Sequence, residues 1–207
     1  MDKRGKLILI EGGDGAGKDT HVERLHGFLK DQDTVYTREP GGTRLGKTLR
    51  EMLLHGSHGE ISLPAELFLF MADRAQNMEE TIKPALAAGK IVVSNRSWIS
   101  FIVYQIYGRE QYEWEDFLQK GINKLYEGVL IDLAIVLDVS PEAGRERQKA
   151  MGKIPDTMES MIDAAHGRIR QAYLDIAKTV PTAVVIDASR PVEDVWTDVK
   201  KAVTSIL

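Results

Sequence analysis

Lys18 closes a run of small residues, Gly12-Gly13-Asp14-Gly15-Ala16-Gly17-Lys18, and Asp19 and Thr20 follow it. The spacing is G-x-x-x-x-G-K, with an apolar run before it and helical sequence after it, the strand, turn, helix setting that gives the motif its meaning. Glycines let the backbone curl so that successive N–H groups converge on phosphate oxygens. The helix start adds its positive dipole end, and the lysine adds a full charge that can follow a transferred group. Residues 12 to 20 therefore predict a polyphosphate cradle with Lys18 as a catalytic group. One position departs from the pattern. A Ser or Thr hydroxyl normally ligates Mg²⁺ after the lysine, but Asp19 stands there, and Thr20 would be turned about 100° away on a helix. Asp19 is thus the metal-binding candidate.

These residues need elements to hold them. Leu7-Ile8-Leu9-Ile10 is a short continuous apolar run, the mark of a strand covered on both faces in a parallel sheet. Similar runs follow at Ile91-Val92-Val93, Leu133 to Leu137 and Ala183 to Ile186, with a weaker one at Thr34-Val35-Tyr36. Stretches of helical length and period separate them. The alternation predicts an α/β fold, a doubly wound parallel sheet flanked by helices, in one domain over residues 1–207. Ligands of such sheets gather beyond the carboxyl ends of the strands, where the glycine loop falls. Residues 145–159 are mostly polar and carry Gly152 and Pro155 inside a helical pattern, which predicts a short mobile lid.

Composition narrows the partners. With 27 Lys and Arg against 31 Asp and Glu, the formal net charge is -4, which argues against a nucleic-acid binder that must replace counterions along a phosphate backbone. A small anionic substrate needs only a local basic pocket. The absence of cysteine excludes disulfides and thiolate metal sites. The apolar run at the start is too short for a signal sequence or a membrane span, so a cytoplasmic protein is expected.

Several further motifs, in order, resemble the thymidylate kinase family over nearly the whole chain: Arg38-Glu39-Pro40-Gly41-Gly42-Thr43, Glu66 to Gln76, Leu137-Asp138-Val139-Ser140-Pro141-Glu142, and Asp187-Ala188-Ser189. The resemblance implies a P-loop NTPase fold, ATP as donor with Mg²⁺, dTMP as acceptor and a homodimer. It implies that Asp14 meets the sugar 3′-hydroxyl, that Phe70 stacks on the pyrimidine and Arg74 bonds its edge, and that Arg38 and Arg96 clamp the acceptor phosphate. Tyr104 would fill the space of a ribose 2′-hydroxyl, and Arg147 would serve as a catalytic arginine on the adenine and phosphate side. Blander readings stand beside these: core packing for Phe70, surface ion pairs for Arg38 and Arg96, a solvated helix face for the lid's basic residues.

The chain leaves the family pattern at three places. Asn95 stands where an Asp precedes the arginine, Phe101 where a small polar residue helps read the base, and Asp156-Thr157 where the lid carries Asp-Arg. Loss of a carboxylate at 95 with gain of one at 19 suggests a compensating exchange around the metal. Phe101 cannot hydrogen-bond, which leaves open another or modified pyrimidine deoxynucleotide as substrate. The altered metal residues and lid together leave open a catalytically weakened nucleotide-binding homologue.

Overall fold

The computed structural model of the protein describes residues 4–56, 60–152 and 165–207. Five parallel strands form one sheet: β1 (Lys6–Gly12), β2 (Thr34–Arg38), β3 (Ile91–Asn95), β4 (Leu133–Asp138) and β5 (Ala183–Asp187), in the order β2-β3-β1-β4-β5. Each is separated from the next by helix: α1 (Lys18–Phe28) between β1 and β2, α2 (Arg44–His55), α3 (Leu63–Asn77) and α4 (Lys83–Ala87) before β3, α5 (Trp98–Phe101) and α6 (Glu115–Leu125) before β4, α7 (Pro141–Ala150) and α8 (His166–Thr179) before β5, and α9 (Val192–Thr204) after it. The chain leaves β1 towards β2 on one side and leaves β3 towards β4 on the other, so a crevice opens between the ends of these adjacent strands.

Alternation along the strands divides the core. Leu7, Leu9, Val92, Ala134 and Val136 face α2, α3, α5, α6 and α8, whereas Ile8, Ile10, Val93, Ile135 and Leu137 face α1 and α9. Both sides of β1 are fully buried, which is why its sequence shows no polar alternation. Each such side chain contributes about 1.5–3 kcal/mol by burial, which anchors the strand that carries the glycine loop.

One expectation needs correction. The run Ala183 to Ile186 resembles a strand covered on both faces, yet β5 lies at the sheet edge, with no strand on its outer side among the described residues, and Val184 and Val185 are exposed. Phe68, two residues before Phe70 on α3, is exposed as well. Of the lid, Arg145 to Ala150 belong to α7 and are followed by a turn at Met151 and Gly152; Lys153, Pro155, Asp156 and Thr157 lie outside the described residues.

Candidate active site

A cavity of about 260 Å³ opens at the carboxyl ends of β1, β2 and β3. Its floor is the glycine loop. Gly15 and Gly17 take φ of 75° and 90°, conformations that glycine adopts without steric cost, and Gly17 caps α1, so that Lys18 is the first helical residue. Lys18 is buried and its Nζ donates to the carbonyls of Gly12 (2.9 Å) and Gly13 (2.7 Å). Burial, then the charge of Arg96, pulls its pKa down to about 7, against the attraction of Asp14, Glu11 and Asp19. Asp14, Gly15, Gly17, Lys18, Asp19 and Thr20 line the cavity; Gly13 lies beside them, while Gly12 and Ala16 are buried beneath.

The structure brings Asp19 and Asn95 together. The Asn95 amide donates to Asp19 Oδ1 at 2.6 Å, and Arg38 stands 3.8 Å from the same oxygen. Partial desolvation raises the Asp19 pKa, but the Asn95 hydrogen bond, then Arg38, Lys18 and Arg96, outweigh it and leave the carboxyl below its usual range. The Asp19 side chain is 76% exposed at the cavity edge.

Arg96 follows β3 with φ of 71°, a left-handed conformation costing a side-chain-bearing residue about 1–2 kcal/mol. A ring of acceptors offsets that cost. Arg96 is bonded to Asp14 and donates to Ser100 Oγ (3.2 Å) and Tyr173 Oη (3.3 Å), with Tyr104 under its guanidinium at 5.1 Å. Tyr104 Oη donates to the other oxygen of Asp14 at 2.7 Å. Beneath them lies Glu11, wholly buried, accepting from Ser97 (2.6 Å) and Ser100 (2.5 Å). Burial pushes Glu11 up in pKa, against the bonds from Ser100 and Ser97 and the charges of Arg96 and Lys18.

The far wall comes from α3 and the end of α5. Phe70 and Arg74 share one face of α3, as a spacing of four requires. Phe70 is half-buried at 5.8 Å from the Phe101 ring, and the Arg74 guanidinium lies 4.7 Å over that same ring. Arg74 is 2% exposed and approaches Glu39 at 2.9 Å, charge to charge rather than in hydrogen-bond alignment: Glu39 Oε2 and Arg74 Nε have no hydrogen-bond partner among the described residues. Asp73 accepts from Gly41 N at 2.9 Å, and Asn77 bridges Thr37 and Glu39, so α3 is tied to the loop after β2. Burial lifts the Asp73 pKa to about 6, against the Gly41 bond. Arg147 lies apart from this cavity, half-buried on α7, where it donates to the Ser189 carbonyl at 3.3 Å beyond β5.

Glu11, Glu39, Asp73 and Tyr173 were not singled out from sequence. Glu39 and Asp73 each directly precede or follow a motif arginine or glycine loop residue, a usable signal; Tyr173 arrives from α8 with none.

A family model described as thymidylate kinase matches residues 10–199. A thymidylate kinase of Bifidobacterium longum (strain NCC 2705) is 41% identical over 98% of both chains. One from Pelotomaculum thermopropionicum is 40% identical over 99% of this chain and 95% of its own, and one from Nitratidesulfovibrio vulgaris 39% over 97% of both. The chain belongs to the thymidylate kinase family. In this chain Asn95 stands against Asp19, and Phe101 lies beneath the Arg74 guanidinium.

Proposed function

We propose that this protein transfers the γ-phosphoryl group of ATP to dTMP, giving dTDP and ADP. The observation that carries this reading is a single cavity joining the glycine loop and Lys18 to the wall of Arg38, Phe70, Arg74, Arg96 and Tyr104. The donor's phosphates lie on residues 12 to 20, and the acceptor occupies the other end, its phosphate held by Arg38 and Arg96 and its base between Phe70 and Arg74. Arginine suits a phosphate because its planar fork donates two parallel hydrogen bonds. Asp14, oriented by Arg96 and Tyr104, accepts from the sugar hydroxyl.

In-line phosphoryl transfer asks for little covalent work from the protein, so positioning and charge neutralisation carry the catalysis. Lys18 needs its proton for that task, and a polyphosphate beside it favours the charged form. Arg147 serves the adenine and phosphate side from α7. Mg²⁺, when bound with the nucleotide, neutralises charge on the phosphate oxygens. Asp19 would hold it, with Asn95 orienting the carboxylate. The fit is good: the carboxyl is exposed at the cavity edge and ionises readily, and Mg²⁺ usually takes only one or two carboxylates, so the lack of any three-residue acidic or histidine cluster among the described residues is no obstacle. No helix of the described residues is long and apolar enough to cross a membrane.

A second reading, preference for another or modified pyrimidine deoxynucleotide, is favoured by Phe101, whose buried ring offers no hydrogen bond to a base. A coupled ADP-release assay with dTMP, dUMP and UMP at varied Mg²⁺ separates the two. The main reading requires dTMP to be turned over best. Binding of ATP without ADP release from any monophosphate would overturn both readings and leave a nucleotide-binding homologue.

A further inference from the structure

The glycine loop and α7 touch through two residues that have no side chains. A Cβ built on Gly144 would stand 2.5 Å from the Asp14 carbonyl, and one on Gly15 would stand 2.2 Å from the Gly144 carbonyl. Both distances are to backbone, which cannot swing aside as a side-chain tip can. Gly144 is buried and otherwise helical, with its N–H bonded to Ser140 O at 2.9 Å, so nothing in its own backbone calls for glycine. A helix-interior glycine costs roughly 1 kcal/mol relative to alanine, a cost that close approach explains.

From this contact α7 runs outward over the cavity. Gln148 and Met151 follow Gly144 at i+4 and i+7, on the same face, and both line the cavity. Arg147, at i+3, reaches Ser189 O. The other partner in the contact, Asp14, is bound through its side chain to Arg96 and Tyr104. A displacement at this point would therefore move donor-side residues and the Arg96 set in opposite directions.

We propose that Gly144 is a positioning residue for phosphoryl transfer, seating α7 directly on the backbone of Asp14 and Gly15 so that Arg147 and Gln148 keep fixed places relative to Lys18 and Arg96. The inference rests on the kinase reading above. An added methyl group must push α7 from the loop, and misplacement by about an ångström can cost up to about 100-fold in rate.

The test compares Gly144→Ala with Gly167→Ala, a control in α8 where an added Cβ meets nothing within 4 Å among the described residues. Rates are expressed per folded enzyme. Gly144→Ala is expected to lower kcat by about 10- to 100-fold while KM for dTMP moves by less than about twofold, with the control unchanged. In a double-mutant cycle with Gln148→Ala, the effects on kcat should be non-additive. A kcat within about twofold of the unaltered enzyme, or additive effects, overturns the proposal whatever happens to Tm. Should Gly144→Ala not fold, hydrogen exchange on the unaltered protein decides. Protection of residues 141–150 and 13–17 rising together on adding a non-hydrolysable ATP analogue supports the seat; protection of the loop alone removes it. If the unaltered protein itself releases no ADP with dTMP, it is the kinase reading that fails, and the two failures are thereby told apart.

Discussion

Asp19 supplies a carboxylate where a hydroxyl is expected and Asn95 an amide where a carboxylate is expected, and the 2.6 Å hydrogen bond between them joins the two changes in one contact. Compensation predicts a definite pattern. Asp19→Thr alone should lower Mg²⁺-dependent turnover by about 10- to 100-fold, and Asp19→Thr combined with Asn95→Asp should restore most of it. Mn²⁺ affinity of the ATP-bound protein, followed by electron paramagnetic resonance, should fall and recover in parallel. Full activity in the single variant would end the idea. Tyr104 invites a second test at the same scale. Its hydroxyl bonds Asp14 and its ring supports Arg96, so Tyr104→Ala should open space beside the sugar and narrow the preference for dTMP over its ribose counterpart by about tenfold, measured as a ratio of kcat/KM.

At the scale of elements, α3 is fastened to the loop after β2 by buried charge. Glu39 and Arg74 are both nearly inaccessible, so Arg74→Ala leaves an unpaired carboxylate inside and should cost about 3–5 kcal/mol in denaturant unfolding. An unfolding midpoint unchanged by that substitution would mean that the pair is not held as described. Asp73, one residue away, gives the same junction a pH dependence. Its pKa is raised to about 6 from 3.8 by burial and by Glu39, against the Gly41 bond, Arg74 and Arg50. A folded-state pKa above the unfolded value means that the folded protein binds the extra proton between pH 3.8 and about 6. The associated stability is present at low pH and is lost as pH rises through 6, by roughly 3 kcal/mol in full. Asp73→Asn keeps an acceptor for Gly41 without the charge, so its Tm advantage over the unaltered protein should be larger at pH 7.5 than at pH 5. A difference in Tm that does not vary with pH would contradict this assignment.

For the whole molecule, the homodimer that the family resemblance implies would need an association surface, and the described residues offer a candidate. Phe68 on α3 and Phe117 on α6 are 49% and 56% exposed, and with Trp114 they make a cluster of edge-to-face rings 5.9–6.2 Å apart. Exposed aromatic clusters of this kind mark association surfaces. Phe68→Asp with Phe117→Asp should convert a dimer to a monomer in sedimentation analysis, while a particle of unchanged mass would move the interface elsewhere. Local sequence was enough for the glycine loop, Lys18, the five strands and the pairing of Phe70 with Arg74 on one helix face, because strand burial, helix spacing and phosphate recognition each leave a short-range pattern. Sequence patterns also carried the family resemblance. What they could not supply was which distant residues meet. The edge position of β5, the Asp19 and Asn95 contact, Tyr173 beneath Arg96, and Gly144 seated on Asp14 all depend on strand order and helix docking, where residues far apart in the chain are brought within a few ångströms by packing of the whole sheet.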